Sequence, residues 1–389
     1  MAGPLSGVRV LDLSRLLPGP YCTMLLADLG AEVIKIEDPD QGDYIRWLPP
    51  YIDGVGAKFL ALNRNKRSAT LNLKTDAGRE IFLNLLPRYD VVVESFRPGV
   101  MDKLGIGYST AAGIKPGIIY CSLTGYGQNG PYADRAGHDI NYIATSGLLA
   151  MTGVKDGLPV LPGIPIGDMS GALFAALGIL AALMESRGTG RGRHVDISLS
   201  DSAFAMLPMN LADYTAGLKE QERGKNDLNG GNPCYGVYET ADSKFVCLGA
   251  IEPKFFKKFC ALAGKSELEV LHHGTGNDRE KLEAELTALF KTRSAAEWID
   301  LLEGADVCFG PVKSFAEALD DPQIRARGLA FEVPTGKGGV MPQMGAPFKM
   351  SDDAHSAPPG FGEHTSILLA EAGVPAESID KLRSEGVIK

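Results

Sequence analysis

Apolar positions change their period several times along the first 130 residues. Val8–Leu13 reads as a strand, Pro20–Gly30 follows a helical period opened by proline, and Glu32–Ile36 is strand-like again. A helix around Asp76–Leu86, an apolar strand at Val91–Val93 and another at Ile118–Leu123 continue the alternation. Nearly unbroken apolar strands between helices predict a mainly parallel sheet covered on both faces, a doubly wound α/β domain. After Asp168, the run MSGALFAALGILAALMESR holds few polar residues before Glu185 and predicts a largely buried helix ending at Gly188. The following GTGRGR reads as a turn.

Beyond residue 200 the pattern is helical and then polar through Lys219–Asn232, which predicts a long linker. A smaller domain follows, opened by a hairpin of Tyr235–Glu239 and Phe245–Leu248 around Asp242 and Ser243, with helices near 253–263, 279–292 and 295–303. Two short helical patterns after Gly362 are expected to return to the first domain. The expected division is a large domain of residues 1–200 and 340–389, a linker at 201–232, a small α+β domain at 233–320 and a second linker at 321–339.

The 389 residues easily support a buried core, and 39 basic against 48 acidic side chains give a net charge of -9. This disfavours nucleic acid or a membrane surface as partner; any phosphate must be held locally. Basic and acidic residues balance over residues 1–110, so that part is the expected anion site. Six scattered cysteines form no C-x-x-C pair and no zinc-type cluster, which predicts reduced thiols, a cytoplasmic protein and no metal. The start shows no signal-peptide pattern, and the apolar run Met169–Met184 falls short of a membrane span.

Gly125-Tyr126-Gly127-Gln128-Asn129-Gly130 matches G-x-G-x-x-G, but Pro131 follows, no amphipathic helix opens and no ribose-binding acid lies at 140–155. The P-loop, H-E-x-x-H and G-x-S-x-G patterns are absent. Three isolated residues invite chemistry. His138 follows the glycine-rich loop, Asp168 precedes the long apolar helix, and Glu252 stands before Pro253 at a helix start. Each also has a plain structural reading: a structural histidine, a helix N-cap and a first-turn acid.

The stretches around them, in order, are PLSGVRVLDLSRLLPGPYCTMLLADLGAEVIKIE, NKRSATLNLKTDAGRE, VVVESFRPGVMDKLGIGY, LTGYGQNGP, GHDINYIATSG, GDMSGALFAALGILAAL, GTGRGRHVDISLSD, LNGGNPCYGVYETADSKF, GAIEPKFF and GEHT. Over nearly the whole chain they resemble the family III coenzyme A transferases and their α-methylacyl-CoA racemase branch. GHDINY with His138 and GAIEPKFF with Glu252 resemble the racemase pattern. KIEDPDQGDYIRWLPPYIDGVGAKFLALNRNKRS resembles the transferase version. The resemblance implies a Rossmann-like large domain with a smaller one, in an interlaced homodimer.

It also implies a racemase of 2-methyl-branched or other α-substituted acyl-CoA thioesters, with CoA as part of the substrate and no cofactor. The alternatives are an acyl-CoA:carboxylate CoA-transferase using Asp168 as nucleophile and a CoA-ester binding protein without activity. In the racemase, His138, oriented by Glu252, and Asp168 would serve opposite faces of the α-carbon. An ordinary aspartate is a poor acid at neutral pH, so Ile166 and Met169 are expected to limit water around Asp168 and raise its pKa. Backbone N–H groups of Gly167–Gly171 are expected to stabilise the enolate oxygen. By the same resemblance, CoA contacts fall at Leu71, Asn72, Leu73 and Lys74, at Ser95, Phe96 and Arg97, at Lys103, and at Gly137, Asp139 and Tyr142. Many relatives have arginine after KIE where this chain has Asp38, so Arg15 or Arg64 is expected to grip the adenosine end instead.

Overall fold

Strand β1 (Arg9–Leu13) sends Val10 into one apolar cluster and Leu11 and Leu13 into another, so both faces of its sheet are buried. This computed structural model describes residues 3–217, 222–348, 350 and 355–389. The chain divides into two units: residues 1–146, 164–206 and 323–389, and residues 147–163 and 207–322.

The first unit is built on a six-stranded parallel sheet in the order β3-β2-β1-β4-β5-β6, with β2 Glu32–Glu37, β3 Lys66–Thr70, β4 Val91–Glu94, β5 Ile119–Thr124 and β6 His194–Ser198. This is the doubly wound order, whose switch point lies between β1 and β4. Helix α1 (Pro18–Asp28) opens at Pro18, two residues before the Pro20 at which the sequence reading begins it, and α2 (Asp76–Leu85) is capped by the Thr75 hydroxyl, which accepts from Gly78 N–H. The remaining helices of this unit that bear on the site are α3 (Tyr108–Ile114), α4 (Asp139–Thr145), α5 (Ile166–Thr189) and α6 (Leu199–Phe204).

Helix α5 runs past Gly188 and ends at Gly190, whose φ of 70° is the left-handed turn expected of GTGRGR. Its buried face, including Ala172, Ala175, Ala176 and Ile179, joins the cluster with Val10 and α1. The helix is only half-buried: Leu173, Leu177 and Met184 are exposed along one side. At 24 residues, with an 18-residue window of mean hydropathy 1.8, it is long and apolar enough to cross a membrane by length and composition alone, whereas the sequence run read from Met169 to Met184 fell short.

The second unit has a three-stranded antiparallel sheet in the order β9-β8-β7, made of β7 Tyr235–Glu239, β8 Phe245–Gly249 and β9 Phe309–Pro311. The predicted hairpin forms, with Ser243 at φ 56° in its turn. Helices α7 (Pro253–Ala263), α8 (Asn277–Phe290) and α9 (Ala295–Leu302) enclose Phe256, Phe259, Phe290 and Trp298.

This division departs from the sequence reading, which took 207–217 and 222–232 as linker where they belong to the second unit. Residues 147–163 join the second unit, 201–206 stay with the first, and the expected linker 321–339 supplies strand β10 (Ala330–Pro334) of the first unit, paired with β11 (Val340–Met344). Of the linker read at 201–232, residues 218–221 lie outside the described residues. The C-terminal segment returns to the first unit as expected: α10 (Thr365–Glu371) and α11 (Ile379–Ser384) place Leu368, Leu369 and Leu382 beside Leu11 and Ile36. All six cysteines are free thiols.

Candidate active site

The first unit carries a cavity of about 470 Å³ at the carboxyl ends of β1, β4 and β5, the crevice at the switch point. Leu13 lines it at the end of β1 and Arg15 just after, Ser95, Phe96 and Arg97 after β4, and Thr124 and Gly125 at the end of β5. Gly137, His138, Tyr142 and Asp168 complete it on one side.

The loop after β5 wraps around Tyr142, whose hydroxyl donates to the Gly137 carbonyl at 2.6 Å. A Cβ on Gly125 would come within 2.6 Å of that ring and one on Gly137 within 2.7 Å, so both positions require glycine. Of the G-x-G-x-x-G stretch only Gly125 lines the cavity, and no helix begins until α4 at Asp139. His138 stands just before α4, exposed, with its backbone N–H donating to Asn141 Oδ1 at 3.0 Å.

Asp168 sits in the first turn of α5, three residues beyond Pro165, which holds the N-cap position that its plain structural reading assigns it. Its backbone N–H donates to Asp139 Oδ1 at 3.0 Å. Burial, and then the charge of Asp139, push the Asp168 carboxyl up to about 7. The sequence argument asked for such a shift through lost water; the part contributed by Asp139 was not read there. Tyr142 is pushed up to about 12 by burial and then by Asp168 and its other acidic neighbours. The helix amides expected to hold an enolate oxygen are partly committed: Asp168 N–H to Asp139, and Met169 N–H to the Pro165 carbonyl at 3.0 Å.

A second cavity of about 500 Å³ shares Leu13, Arg15 and Phe96 with the first and extends past Leu71, Leu73, Lys74, Asp38 and Asp40. Of the expected CoA contacts, these two cavities collect Leu71, Leu73, Lys74, Ser95, Phe96, Arg97, Gly137 and Tyr142. Asn72, Lys103 and Asp139 line neither. The Asn72 side chain is occupied locally, donating to the Gly386 carbonyl at 3.1 Å and accepting from Lys74 N–H at 3.1 Å.

Arg15 lies where the two cavities meet, its guanidinium 5.5 Å from the Phe96 ring centre. Its loop is fixed from below by buried charges. Lys35 Nζ donates to the Ser14 carbonyl at 2.6 Å and pairs with Asp43 at 3.0 Å, while Asp43 accepts from Leu16 N–H at 3.2 Å. Against complete burial, which alone would raise it, Lys35 and Lys66 hold Asp12 down at about 2. Arg64 is not an adenosine grip: it is 1% exposed and spent on Asp28 at 2.6 Å and Gln343 at 2.9 Å.

Glu252 belongs to the second unit. It stands at the N-cap of α7, exposed, with its carbonyl accepting from Phe255 and Phe256 N–H and its carboxylate making no capping bond. Arg135 and Tyr44 also line the catalytic-side cavity and were not singled out from the sequence. Arg135 stacks over Tyr132 at 3.7 Å, and in sequence it is indistinguishable from any charged loop residue.

The profile of CoA-transferase family III matches residues 5–365. The chain belongs to that family. The family III chain is 38% identical to succinyl-CoA:glutarate CoA-transferase of Mus musculus, over 99% of this chain and 90% of that protein. It is 35% identical to alpha-methylacyl-CoA racemase of Mus musculus, over 99% of this chain and 97% of that protein. Among solved structures, a CAIB/BAIF family protein from Brucella suis superposes with a TM-score of 0.83 at 33% identity, covering 96% of this chain and 100% of that one. The family III chain is therefore an enzyme of a family that holds both CoA-transferases and racemases.

Proposed function

We propose that this family III enzyme racemises or epimerises α-substituted acyl-CoA thioesters, 2-methyl-branched ones among them, by two-base proton transfer. The observation that carries the reading is that His138 and Asp168 line one cavity and that Asp168 titrates near neutrality, so it can accept and donate a proton at working pH. In one direction the Asp168 carboxylate takes the α-proton, and the C–H electron pair moves into the thioester carbonyl to give an enolate. Protonated His138 then delivers its proton to the opposite face, the carbonyl re-forms, and the configuration is inverted. The reverse reaction exchanges the roles.

The CoA part would lie along the joined cavities, with Arg15, Arg97 and Lys74 available to its phosphates. No cofactor is required by this chemistry. Glu252, exposed and free of a capping bond, is proposed as the carboxylate that orients His138 within an interlaced homodimer, as the resemblance implies. The exposed apolar side of α5, with Leu173, Leu177 and Met184, supports burial against a second copy.

A second reading, a CoA-transferase, is favoured by the transferase relative at 38% identity and by a cavity lined by Arg15, Arg97 and Arg135 as well as Asp168. There Asp168 would attack the thioester carbonyl and expel CoA thiolate, giving a mixed anhydride and then an enzyme-bound CoA thioester. Incubation of a 2-methylacyl-CoA in deuterated water separates the two. Deuterium at the α-carbon with inversion supports the racemase. CoA passing to a free acid, with an intermediate trapped by hydroxylamine and lost in Asp168→Ala, supports the transferase instead.

A further inference from the structure

A buried carboxyl outside the proposed proton-transfer machinery lies directly behind the CoA-side wall of the cavity. Glu94, the last residue of β4, is 3% exposed, and its Oε2 accepts from Phe96 N–H at 2.7 Å. That bond spans the loop of Ser95, Phe96 and Arg97, which lines the cavity. Glu94 also hydrogen-bonds Ser122, its cross-strand neighbour on β5. Ser122 Oγ lies 3.0 Å from His194 Nε2 on β6, and His194 is exposed and stacked on Tyr108 of α3 at 5.1 Å. A chain of polar contacts therefore runs from the protein surface through Ser122 to the carboxyl that ties the loop.

We infer that Glu94 is a positioning residue: its carboxylate sets the Ser95–Arg97 loop for the CoA moiety, its loss of charge on protonation makes CoA binding pH-dependent, and Ser122 and His194 give that proton a path to solvent. The inference rests on the family-level reading that the joined cavities hold CoA, and on neither the racemase nor the transferase step.

The groups facing Glu94 decide when it changes charge. Burial pushes it up to about 7, Ser122 and the Phe96 amide oppose the rise, and Asp102, from the short helix Val100–Lys103, and Asp196 of β6 add to it. Tyr120 of β5 and Tyr108 of α3 flank the cluster from the same side, while β1 offers Leu13 in register with Glu94. Asp196 is itself engaged, accepting from Gln128 N–H at 3.1 Å in the loop after β5. Above the midpoint, the ionised carboxylate makes a charge-assisted bond to Phe96 N–H and holds the loop; below it, the neutral acid holds it less firmly.

The test measures the dissociation constant of coenzyme A itself by calorimetry, for the wild type and Glu94→Gln, between pH 6 and pH 8.5. The ratio of the two constants cancels the titration of the probe's own phosphates and of other groups common to both proteins. The ratio is expected near 1 at pH 6 and about five- to tenfold in favour of the wild type at pH 8.5, the part of a charge-assisted bond that the neutral amide of Gln does not supply. Ser122→Ala, which removes the partner that opposes the rise, is expected to move the midpoint of this ratio to higher pH. A ratio of 1 throughout, or one independent of pH, overturns the inference; an unmoved midpoint in Ser122→Ala overturns the link through Ser122. Because the readout is binding of CoA, failure of the racemase reading leaves the outcome interpretable. Absence of CoA binding by the wild type marks failure of the shared family-level reading.

Discussion

The Asp168 backbone N–H and the Asp139 carboxylate are joined at 3.0 Å, and Asp139 follows His138 directly in the chain. One hydrogen bond thus ties the start of α5 to the start of α4 and sets a negative charge beside the acid that the proposed reaction uses. Asp139→Asn keeps an oxygen able to accept the Asp168 N–H but removes the charge. The pH–rate limb belonging to Asp168, expected at about 7 in the wild type, should move to lower pH in this variant. A limb that stays in place would show that burial alone sets it.

Asp168 also links activity to stability. Its carboxyl is raised from 3.8 to about 7 in the folded protein, so between these values the native state holds a proton that the unfolded chain has released. Stability is therefore lost as pH rises through this window, by roughly 4 kcal/mol at most above pH 7, and no loss remains below the unfolded value. Asp168→Asn should gain ~1–3 kcal/mol at pH 8, with the gain shrinking steadily toward pH 5, while turnover falls by about 10²–10⁴-fold. Denaturant midpoints at several pH values, measured with turnover, check both halves. A variant equally stabilised at every pH would contradict the titration argument.

His138→Gln separates the two chemistries by stereochemistry. With one base deleted, a racemase can no longer invert, and racemisation should fall by about 10²–10⁴-fold. Asp168 still reaches one face, so the enantiomer presenting its α-hydrogen there should exchange deuterium with retained configuration. The opposite enantiomer should not exchange. Proton NMR of each enantiomer in deuterated water reads this directly. If CoA transfer to a free acid survives the substitution nearly intact and no exchange occurs in the wild type, the nucleophilic role of Asp168 is the correct one.

The central strands were legible because residues such as Val91, Val92 and Val93 are apolar on both faces, which only a covered parallel sheet buries. In the six-stranded sheet, the strands missed were the two at its edges. Lys66–Thr70 and His194–Ser198 carry polar side chains, and Lys66 is buried only because Asp12, Thr23 and Asn63 surround its ammonium. Such pairing joins residues far apart in sequence and leaves no periodic trace. The same reason hid the role of Asp139 toward Asp168 and the spending of Arg64 on Asp28. His138 and Asp168 could be picked out as residues, but their convergence on one cavity depends on two loops and a helix start meeting at the switch point. The apolar run of α5 looked buried all round because composition alone does not say which side of an apolar helix faces the sheet.

Arg15 and Arg64 give opposite expectations from the same substitution. Arg64→Ala takes from the buried Asp28 carboxylate the guanidinium that pairs with it, leaving neighbours such as Asn65, at 2.9 Å, and His355. Breaking a buried pair in this way should cost about 3–5 kcal/mol, measured by chemical denaturation. CoA affinity of the folded fraction should stay within about twofold, because nothing of Arg64 faces either cavity, and effects at separated sites act independently. Arg15→Ala removes an arginine at the junction of the two cavities whose side chain holds no buried partner together. Its stability should change by less than about 0.5 kcal/mol, as for substitutions away from packed or paired features. CoA binding should weaken by about 10- to 100-fold, the size of a hydrogen bond to a charged group. The reverse pattern, with Arg64 governing affinity and Arg15 governing stability, would mean that CoA does not run through the cavity that Arg15 bridges.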